Sequence, residues 1–183
     1  NRYYVGIDAG SVSVNGVVVN QAKEVVYEAP YRRHFGKVES AILELIREVN
    51  KAVDRDSIAA VAFTGNHGRK ISQASGGFYE FETISQVLGA VWVQPDVRTV
   101  ISMGGQETAL FQVGHGTNGW ELEYFNMNGP CASGTGSFID QQAQRLAMSI
   151  YDRDADISQE RIDAILSDFI ALGAQSTSAA NVA

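Results

Sequence analysis

The chain has 183 residues, of which 45% are hydrophobic and 19% charged, and its formal net charge at pH 7 is −7. An acidic chain of this size disfavours a nucleic-acid groove or an anionic membrane as its main partner, and its one cysteine excludes a fold held by internal disulfides. No apolar run approaches the roughly 18 residues of a membrane span, so we expect a soluble, cytoplasmic protein that binds neither nucleic acid nor membrane.

The first half of the chain predicts an α/β lobe. Short runs rich in β-branched and alternating apolar residues indicate strands, and apolar residues at helical spacing indicate helices. The predicted strands are Tyr3–Asp8, Val12–Val19, Glu24–Tyr27 and Ser57–Phe63, and the predicted helices are Lys37–Val53 and Glu82–Trp92. A turn at Ala9–Ser11 joins the first two strands, and residues 64–68 indicate a loop.

The second half repeats part of this layout. Its predicted strands are Arg98–Met103, Thr108–Val113 and Trp120–Met127, followed by a helix from about residue 130 to Ala147 and a helix from Ser158 to Gly173. A strand, a turn of small or polar residues and a second strand thus occur at Asp8–Ser11 and again at Gly104–Glu107. We therefore predict two lobes, residues 1–95 and 96–183, joined by the helix at Glu82–Trp92, with the second lobe incomplete at its C-terminus.

Several familiar signatures are absent or out of context. Gly114–Gly119 fits the dinucleotide pattern G-x-G-x-x-G, but a strand rather than a helix follows it, so we interpret it as a hairpin loop. The sequence contains neither the P-loop pattern nor the G-x-S-x-G turn of serine hydrolases. His34, His67 and His115 lie far apart along the chain, and we expect surface or loop residues rather than a metal site.

The two turns of small residues are candidates for a phosphate site. Their backbone N–H groups can point at phosphate oxygens, and glycine lets an anion come close because it has no Cβ. Asp8, at the end of a strand, could hold a hydrated Mg²⁺ beside those phosphates. One such turn alone is a common hairpin feature, whereas two of them facing each other across a cleft would clamp a polyphosphate.

Cys131 is the third candidate. A free cysteine is most often a buried small hydrophobic residue. Here it comes just before Gly134-Thr135-Gly136 and the start of a predicted helix, where the helix dipole lowers the pKa of a thiol and favours the thiolate. A thiolate nucleophile would need a nearby histidine base, which the sequence does not identify. Metal ligation is therefore the better functional interpretation.

A resemblance to a known family extends over nearly the whole chain and is carried by four segments. They are Gly6–Val14, Phe63–Gly65, Gly104–Glu107 and Asn126–Phe138, of which the last is the most specific. These segments resemble the BadF/BadG/BcrA/BcrD ATPase family, the activators of 2-hydroxyacyl-CoA dehydratases and benzoyl-CoA reductases. The resemblance implies the α/β, ribonuclease-H-like ATPase fold of actin, heat-shock chaperones and sugar kinases, with two lobes.

The resemblance also implies an ATPase that drives electron transfer. In the intact protein a homodimer would share one [4Fe-4S] cluster and, using ATP and Mg²⁺, would pass a low-potential electron from a donor to a dehydratase or reductase. Carried over by position, Asp8 would bind Mg²⁺ and act with Glu107 in catalysis, and Cys131 would ligate iron. The residues that would contact the phosphates are Gly10, Ser11, Gly104, Gly105 and Gln106.

The chain departs from the family pattern in two respects. Members commonly carry an acidic residue where this chain has Ser102 and a lysine where it has Ala109, so we expect the second turn to bind nucleotide without hydrolysing it well. Members also supply a second cysteine, whereas this chain has one. We therefore expect an N-terminal piece of a longer protein, which by itself would lack the cluster because a cluster takes about four thiolates.

Three other interpretations stay open. A sugar- or acetate-kinase-like phosphotransferase of the same superfamily would phosphorylate a small substrate and contain no iron. A non-hydrolysing nucleotide-binding scaffold, favoured by Ser102 and Ala109, would bind nucleotide with negligible turnover. A structural domain with glycine hairpins would show no nucleotide-dependent change in its melting temperature.

Overall fold

The computed structural model describes residues 2–117, 119–128, 138–143, 145 and 158–175. Its first sheet contains the strands β1 (Tyr3–Ala9), β2 (Ser13–Asn20), β3 (Val25–Glu28), β4 (Arg32–Arg33), β5 (Ile58–Thr64) and β6 (Phe78–Tyr79). Its second sheet contains β7 (Thr99–Met103), β8 (Thr108–Gly116) and β9 (Gly119–Met127). The helices described are α1 (Val38–Ala52), α2 (Gly68–Ser75), α3 (Glu82–Val93) and α4 (Gln159–Gln175), with a 3-10 turn at Arg55–Ser57 and helical backbone at 138–143.

The first sheet is mixed, with the strand order β3-β2-β1-β5-β6 and β4 paired to β2. β1, β2 and β3 form an antiparallel meander, whereas β5 runs parallel to β1 and β6 parallel to β5. Because β1 and β5 are parallel, their carboxyl ends meet at one edge, where Asp8 lies opposite Thr64. Loops at the carboxyl ends of parallel strands are the usual ligand sites of such sheets.

The core of the first sheet lies between the sheet and α1. Val5 and Ile7 of β1 are buried in one cluster with the apolar stripe of α1. Leu45, fully buried in that stripe, packs onto Gly16 of β2, where a Cβ would come within 2.6 Å of Leu45 Cδ1. Glycine at position 16 therefore lets α1 lie close to the sheet, which fixes β1, β2 and the turn between them.

The second sheet is an antiparallel meander in the order β7-β8-β9. Phe111 and Val113 of β8 are buried and form a cluster with Val87 of α3. α3 therefore follows the first sheet in the chain but packs its buried side chain against the second. The predicted helix between the two halves is present, and the division into lobes at residue 95 stays a prediction.

Apart from the helix predicted to reach Ala147, the long predicted elements are confirmed to within a few residues at each end. The sequence patterns do not predict β4, β6 or α2, because two-residue strands have no periodicity and α2 begins inside the predicted loop, at Gly68. The predicted hairpin at Gly114–Gly119 is present with a tighter turn, since β8 and β9 extend into it. Within the described residues, no helix is long and apolar enough to cross a membrane.

Two predictions concern the C-terminal region. The prediction that the last helix ends at Gly173 is wrong, because α4 continues to Gln175. A single glycine inside a good helical pattern lowers helix stability by about 1 kcal/mol, which does not force the helix to end. Of the helix predicted to reach Ala147, residues 138–143 are helical. Its beginning, with Cys131, and the tail after residue 175 lie outside the described residues.

Candidate functional site

The two turns predicted to be equivalent are closed by the same hydrogen bond. Gly10 donates its N–H to the carbonyl oxygen of Ser13 at 3.0 Å, and Gly104 donates its N–H to that of Glu107 at 2.7 Å. The first turn joins β1 to β2 and the second joins β7 to β8. Each sheet therefore contributes one tight hairpin turn of the same local geometry.

The tips of these two turns meet. A Cβ built on Gly105 would lie 2.5 Å from Val12 Cγ2 and 2.8 Å from Ser11 Oγ. A methyl group does not fit at either distance, so the approach of the two sheets at this point requires glycine. The two turns are therefore in direct contact at their central residues, instead of facing each other across a cleft, and a ligand would lie beside them.

A cavity of about 640 Å³ opens beside the paired turns. This volume lies within the range of about 300 to 1,000 Å³ that is common for small-molecule and cofactor sites. Side chains from α3 and β4 complete its wall. The residues assigned from the sequence to catalysis or phosphate contact all line this one cavity: Asp8, Gly10, Ser11, Gly104, Gly105, Gln106 and Glu107.

Asp8 is mostly buried at the end of β1. Its Oδ1 atom has no hydrogen-bond partner in the part of the chain that the structure describes, and the same holds for Thr64 Oγ1 on the neighbouring strand. Burial raises the pKa of the Asp8 carboxyl, and the Asn15 amide opposes that rise. Gly65, with φ +84°, packs against Asp8 Oδ1 and would admit no Cβ there. A buried carboxylate oxygen without a partner is poised to bind a cation or its water.

The chemistry of Asp8 fits Mg²⁺. Mg²⁺ usually keeps several waters and is bound by one or two carboxylates together with substrate phosphates, rather than by an all-protein cage. The described residues contain no group of three or more His, Cys, Asp or Glu side chains arranged to hold a metal ion. A carboxylate at the wall of a cavity with room for a phosphate ligand is therefore an arrangement that suits this cation.

Glu82 belongs to the same site, although the sequence analysis does not single it out. It begins α3 and lines the cavity. Burial raises the pKa of its carboxyl, and the negative charges of Asp8 and Glu107 raise it further. One sequence signal could have identified Glu82. It is an acidic residue in the first turn of a predicted helix that follows a glycine-rich segment. The sequence does not show that α3 packs across the cavity. This packing brings the carboxylates of Asp8, Glu82 and Glu107 to one site.

His34 lies in the loop between β4 and α1, which agrees with the prediction of a surface or loop residue, but it is not at the surface. His34 is buried, with 6% of its surface exposed, and its ring lies edge-on to that of His67 at 5.8 Å between centroids. Gly36 donates its N–H to His34 Nδ1 at 3.1 Å, so the ring proton lies on Nε2, which donates to the Gly10 carbonyl oxygen at 3.1 Å. His34 therefore supports the first turn through its hydrogen bond to the carbonyl oxygen of Gly10. His115 is exposed, as expected.

The structure describes Ser102 and Ala109, whereas Cys131 lies outside the described residues. Ser102 and Ala109 are paired across β7 and β8, and both line the cavity. The departures from the family pattern therefore lie side by side next to the second turn, where they present neither the acid nor the base expected there. Cys131 lies outside the described residues, and its assignment as an iron ligand stays a prediction.

Comparison with known proteins places this geometry in context. The sequence model of the BadF/BadG/BcrA/BcrD ATPase family matches residues 5–182. The chain is 31% identical over 152 residues to the (R)-2-hydroxyglutaryl-CoA dehydratase activating ATPase of Acidaminococcus fermentans, which covers 82% of this chain and 56% of that protein. It is 28% identical over 149 residues to the 2-hydroxyisocaproyl-CoA dehydratase activator of Clostridioides difficile, covering 81% and 54%. The chain thus spans about half the length of these relatives.

Solved structures confirm the predicted fold class. Component A of the Acidaminococcus fermentans (R)-2-hydroxyglutaryl-CoA dehydratase superposes with a TM-score of 0.67 at 26% identity, covering 97% of this chain and 70% of that one. The Clostridium difficile activator of the 2-hydroxyisocaproyl-CoA dehydratase, solved with bound ADPNP, gives 0.66 at 24% identity, covering 96% and 67%. The fold is therefore the α/β, ribonuclease-H-like fold shared by actin-like and sugar-kinase-like ATPases.

Proposed function

The chain belongs to the BadF/BadG/BcrA/BcrD ATPase family, and from that premise we propose that it binds and hydrolyses MgATP in the cavity beside its two glycine turns. The observation that carries the proposal is the contact of these turns beside one cavity that Asp8 also lines. Backbone N–H groups of hairpin turns that are not used within the turn can bind an anion beside it, and glycine keeps side chains out of the way of that anion. This is the arrangement that a polyphosphate chain requires.

Each part of the site has a role in this proposal. Ser11 of the first turn and Gly105 and Gln106 of the second bind phosphate oxygens. Gly10 and Gly104, whose N–H groups close the two turns, line the cavity and leave room for the anion. Asp8 holds Mg²⁺, directly or through water, which neutralises charge on the phosphates. Because phosphoryl transfer depends on positioning and electrostatic stabilisation, the remaining chemistry is the orientation of the attacking water, which we assign to the carboxylates of Glu107 and Glu82.

For the whole protein we propose the role of an ATP-dependent activator of a 2-hydroxyacyl-CoA dehydratase or a benzoyl-CoA reductase. The named relatives support this role, among them the activator of lactoyl-CoA dehydratase of Anaerotignum propionicum and a component of the benzoyl-CoA reductase of Thauera aromatica. A [4Fe-4S] cluster, bound in part by Cys131 in a homodimer, would supply the low-potential electron. The residues of this chain bind the nucleotide and, by closing on it, change the relative position of the two sheets.

A non-hydrolysing nucleotide-binding scaffold is the second candidate. The observation that favours it is the pairing of Ser102 with Ala109 beside the second turn, where no charged side chain is supplied. Both candidates require MgATP binding, but the scaffold predicts no release of phosphate. The rate of turnover therefore separates them.

The test uses protein purified without oxygen. Isothermal titration with MgATP and an assay of phosphate release are run on the wild-type chain, on Asp8→Asn and, as a control, on Asp56→Asn, whose side chain is exposed on a 3-10 turn far from the cavity. We expect slow hydrolysis in the wild type and the control, because Ser102 and Ala109 replace the charged residues expected beside the second turn, and a loss of about 100-fold or more in Asp8→Asn. A wild-type chain that does not bind MgATP would overturn the proposal, and binding without turnover would select the scaffold.

The electron-transfer role has its own test. Iron and sulfide analysis with EPR spectroscopy of the whole protein, purified without oxygen, is compared with that of the Cys131→Ala variant. We expect an iron–sulfur signal in the wild type and its loss in the variant. A signal that is unchanged in Cys131→Ala, or absent from both proteins, would contradict the assignment of Cys131 as a cluster ligand.

A further inference from the structure

We propose that Arg33 is the cation that binds the polyphosphate in this cavity and that Asp140 positions it. The inference rests on the proposed function, since it requires a phosphate ligand in the cavity beside the two turns, and it identifies the charge that compensates that ligand. Sequence patterns give no reason to choose Arg33, because it lies on a two-residue strand and its partner is 107 positions away in the chain.

The charges around the cavity show why a cation is needed. Asp8, Glu82 and Glu107 all line it, and Arg33 is the one basic side chain among the described residues that do. A polyphosphate, even with Mg²⁺ bound, carries net negative charge and would meet three carboxylates in a partly desolvated space. Ser102 and Ala109, beside the second turn, add no positive charge. Arg33 is therefore positioned to provide the compensating protein charge.

The position of Arg33 follows from the register of β4. Arg33 pairs with Ser13, the residue that closes the first turn, and Arg32 pairs with Val14. Successive side chains of a strand point to opposite faces. Arg32 accordingly turns to α1, where its Nη2 contacts Glu48 Oε1 at 2.6 Å. Arg33 turns to the cavity, immediately beside the turn that would bind phosphate.

Asp140 and Phe35 hold the guanidinium of Arg33 in place, and these contacts leave some of its N–H donors unused. Its Nη2 contacts Asp140 Oδ1 at 2.5 Å, and its guanidinium carbon lies 5.5 Å from the centre of the Phe35 ring. The side chain is 14% exposed, yet its Nε atom is buried without a hydrogen-bond partner among the described residues. An arginine has five N–H donors in a planar fork that suits phosphate oxygens. One carboxylate cannot satisfy them all, and a buried donor without a partner is costly.

Asp140 connects this cation to the second half of the chain. It lies in the helical residues 138–143, so the Arg33–Asp140 pair joins β4 of the first sheet to that helix. The carboxylate fixes the direction of the guanidinium and reduces the entropy that Arg33 would lose on binding phosphate. Asp140 is thus a positioning residue, while Arg33 is the residue that contacts the ligand.

The experiment measures the affinity of the full chain for MgATP and for magnesium tripolyphosphate by titration calorimetry. We expect Arg33→Gln to weaken both affinities at least about tenfold, because a charge-assisted hydrogen bond is lost. Arg33→Lys, which keeps the charge but not the fork, falls between wild type and Arg33→Gln. Asp140→Asn weakens binding by a smaller factor of about 3 to 10, through loss of orientation.

Arg32→Gln is the matched control, because it removes a neighbouring ion pair that faces α1 instead of the cavity. We expect it to leave both affinities within about threefold of wild type. If Arg33→Gln binds tripolyphosphate as tightly as a wild type that does bind it, the inference is wrong and the proposed function stands. If the wild type binds neither ligand, the proposed function itself fails. Should Arg33→Gln not fold, an unchanged affinity in both Arg33→Lys and Asp140→Asn would overturn the inference.

Discussion

Gly105 of the second turn lies directly against Val12 of the first, so closely that a Cβ on Gly105 would stand 2.5 Å from Val12 Cγ2. Carbon atoms that are not bonded to each other approach to about 3.5 to 4.0 Å. Any side chain at position 105 would therefore push the two turns, and with them the two sheets, apart. The requirement for glycine at position 105 of the second turn therefore follows from the position of Val12 in the first turn.

Gly105→Ala should weaken MgATP binding at least about tenfold, because the added methyl group separates the turns that together hold the phosphates. Gly89→Ala is the control, since Gly89 lies in α3 with no atom within 4 Å of a built Cβ. That substitution should keep the affinity and raise stability by about 0.5 to 1 kcal/mol. Titration calorimetry and thermal melting measure both effects. Equal affinities in the two variants would show that the contact between the turns does not shape the site.

Asp8→Asn should make the protein more stable at neutral pH while it removes hydrolysis. The pKa of Asp8 is raised in the folded chain above its ordinary value of 3.8, so the folded state holds the proton more tightly than the unfolded state does. Above the folded pKa the buried carboxylate is ionised and lowers stability. That penalty disappears as pH falls through the folded pKa toward 3.8.

Melting temperatures of wild type and Asp8→Asn, measured without Mg²⁺ from about pH 8 to about pH 4.5, test this sign. The variant should melt at the higher temperature near pH 8, and the difference should shrink as the solution is acidified. Asp56→Asn, at an exposed position, should show no such trend. A wild type that is the more stable protein at pH 8 would mean that Asp8 has a favourable partner in the folded state.

Gly65 and Gly76 offer a matched pair for the backbone beside Asp8. Both have positive φ, +84° and +74°, but a Cβ on Gly65 would collide with Asp8 Oδ1 and the Ala9 carbonyl, whereas Gly76 has open space. Alanine at either position costs about 1 to 2 kcal/mol of backbone strain. Gly65→Ala should lose about 1 to 3 kcal/mol more than Gly76→Ala because of the clash, and it alone should lose MgATP binding. Denaturant unfolding and calorimetry compare them, and equal losses would refute the role of Gly65 in seating Asp8.

The strand and helix pattern could be predicted from the sequence because each long element carries its own periodicity. The two glycine turns could also be predicted, since Gly10 and Gly104 lie at strand ends in a repeated layout. Periodicity does not predict short elements such as α2. This helix begins at Gly68, inside a glycine-rich stretch that indicates a loop.

The parts of the site that could not be predicted depend on contacts between distant segments. Glu82 becomes part of a carboxylate group only when α3 packs across the cavity. Arg33 meets Asp140 across 107 positions of sequence. A polar residue on a short strand or at a helix start has many unremarkable roles, and nothing local distinguishes these two from their neighbours.

His34 is the clearest case of this kind, and it gives the last prediction. Burial lowers the pKa of its ring below the ordinary value of 6.5, so the unfolded chain binds a proton more readily than the folded one does. The stability that neutral His34 supports is therefore complete above pH 6.5 and is lost progressively as pH falls below it. Protonation would also put a proton on Nδ1, which now accepts the Gly36 N–H, and so would break that hydrogen bond while Nε2 continues to donate to the Gly10 carbonyl oxygen.

His34→Gln should accordingly be less stable than wild type near neutral pH, by about 1 to 2 kcal/mol, because a ring packed between the first turn and His67 is lost. Its stability should change less steeply between about pH 7 and about pH 5, since the titrating group is gone. His115→Gln, at an exposed position, is the control and should follow the wild-type curve. Urea unfolding across this pH range measures the slopes. If His34→Gln kept the full wild-type slope, the pH dependence would arise from other groups and His34 would be only a packing residue beneath the turn.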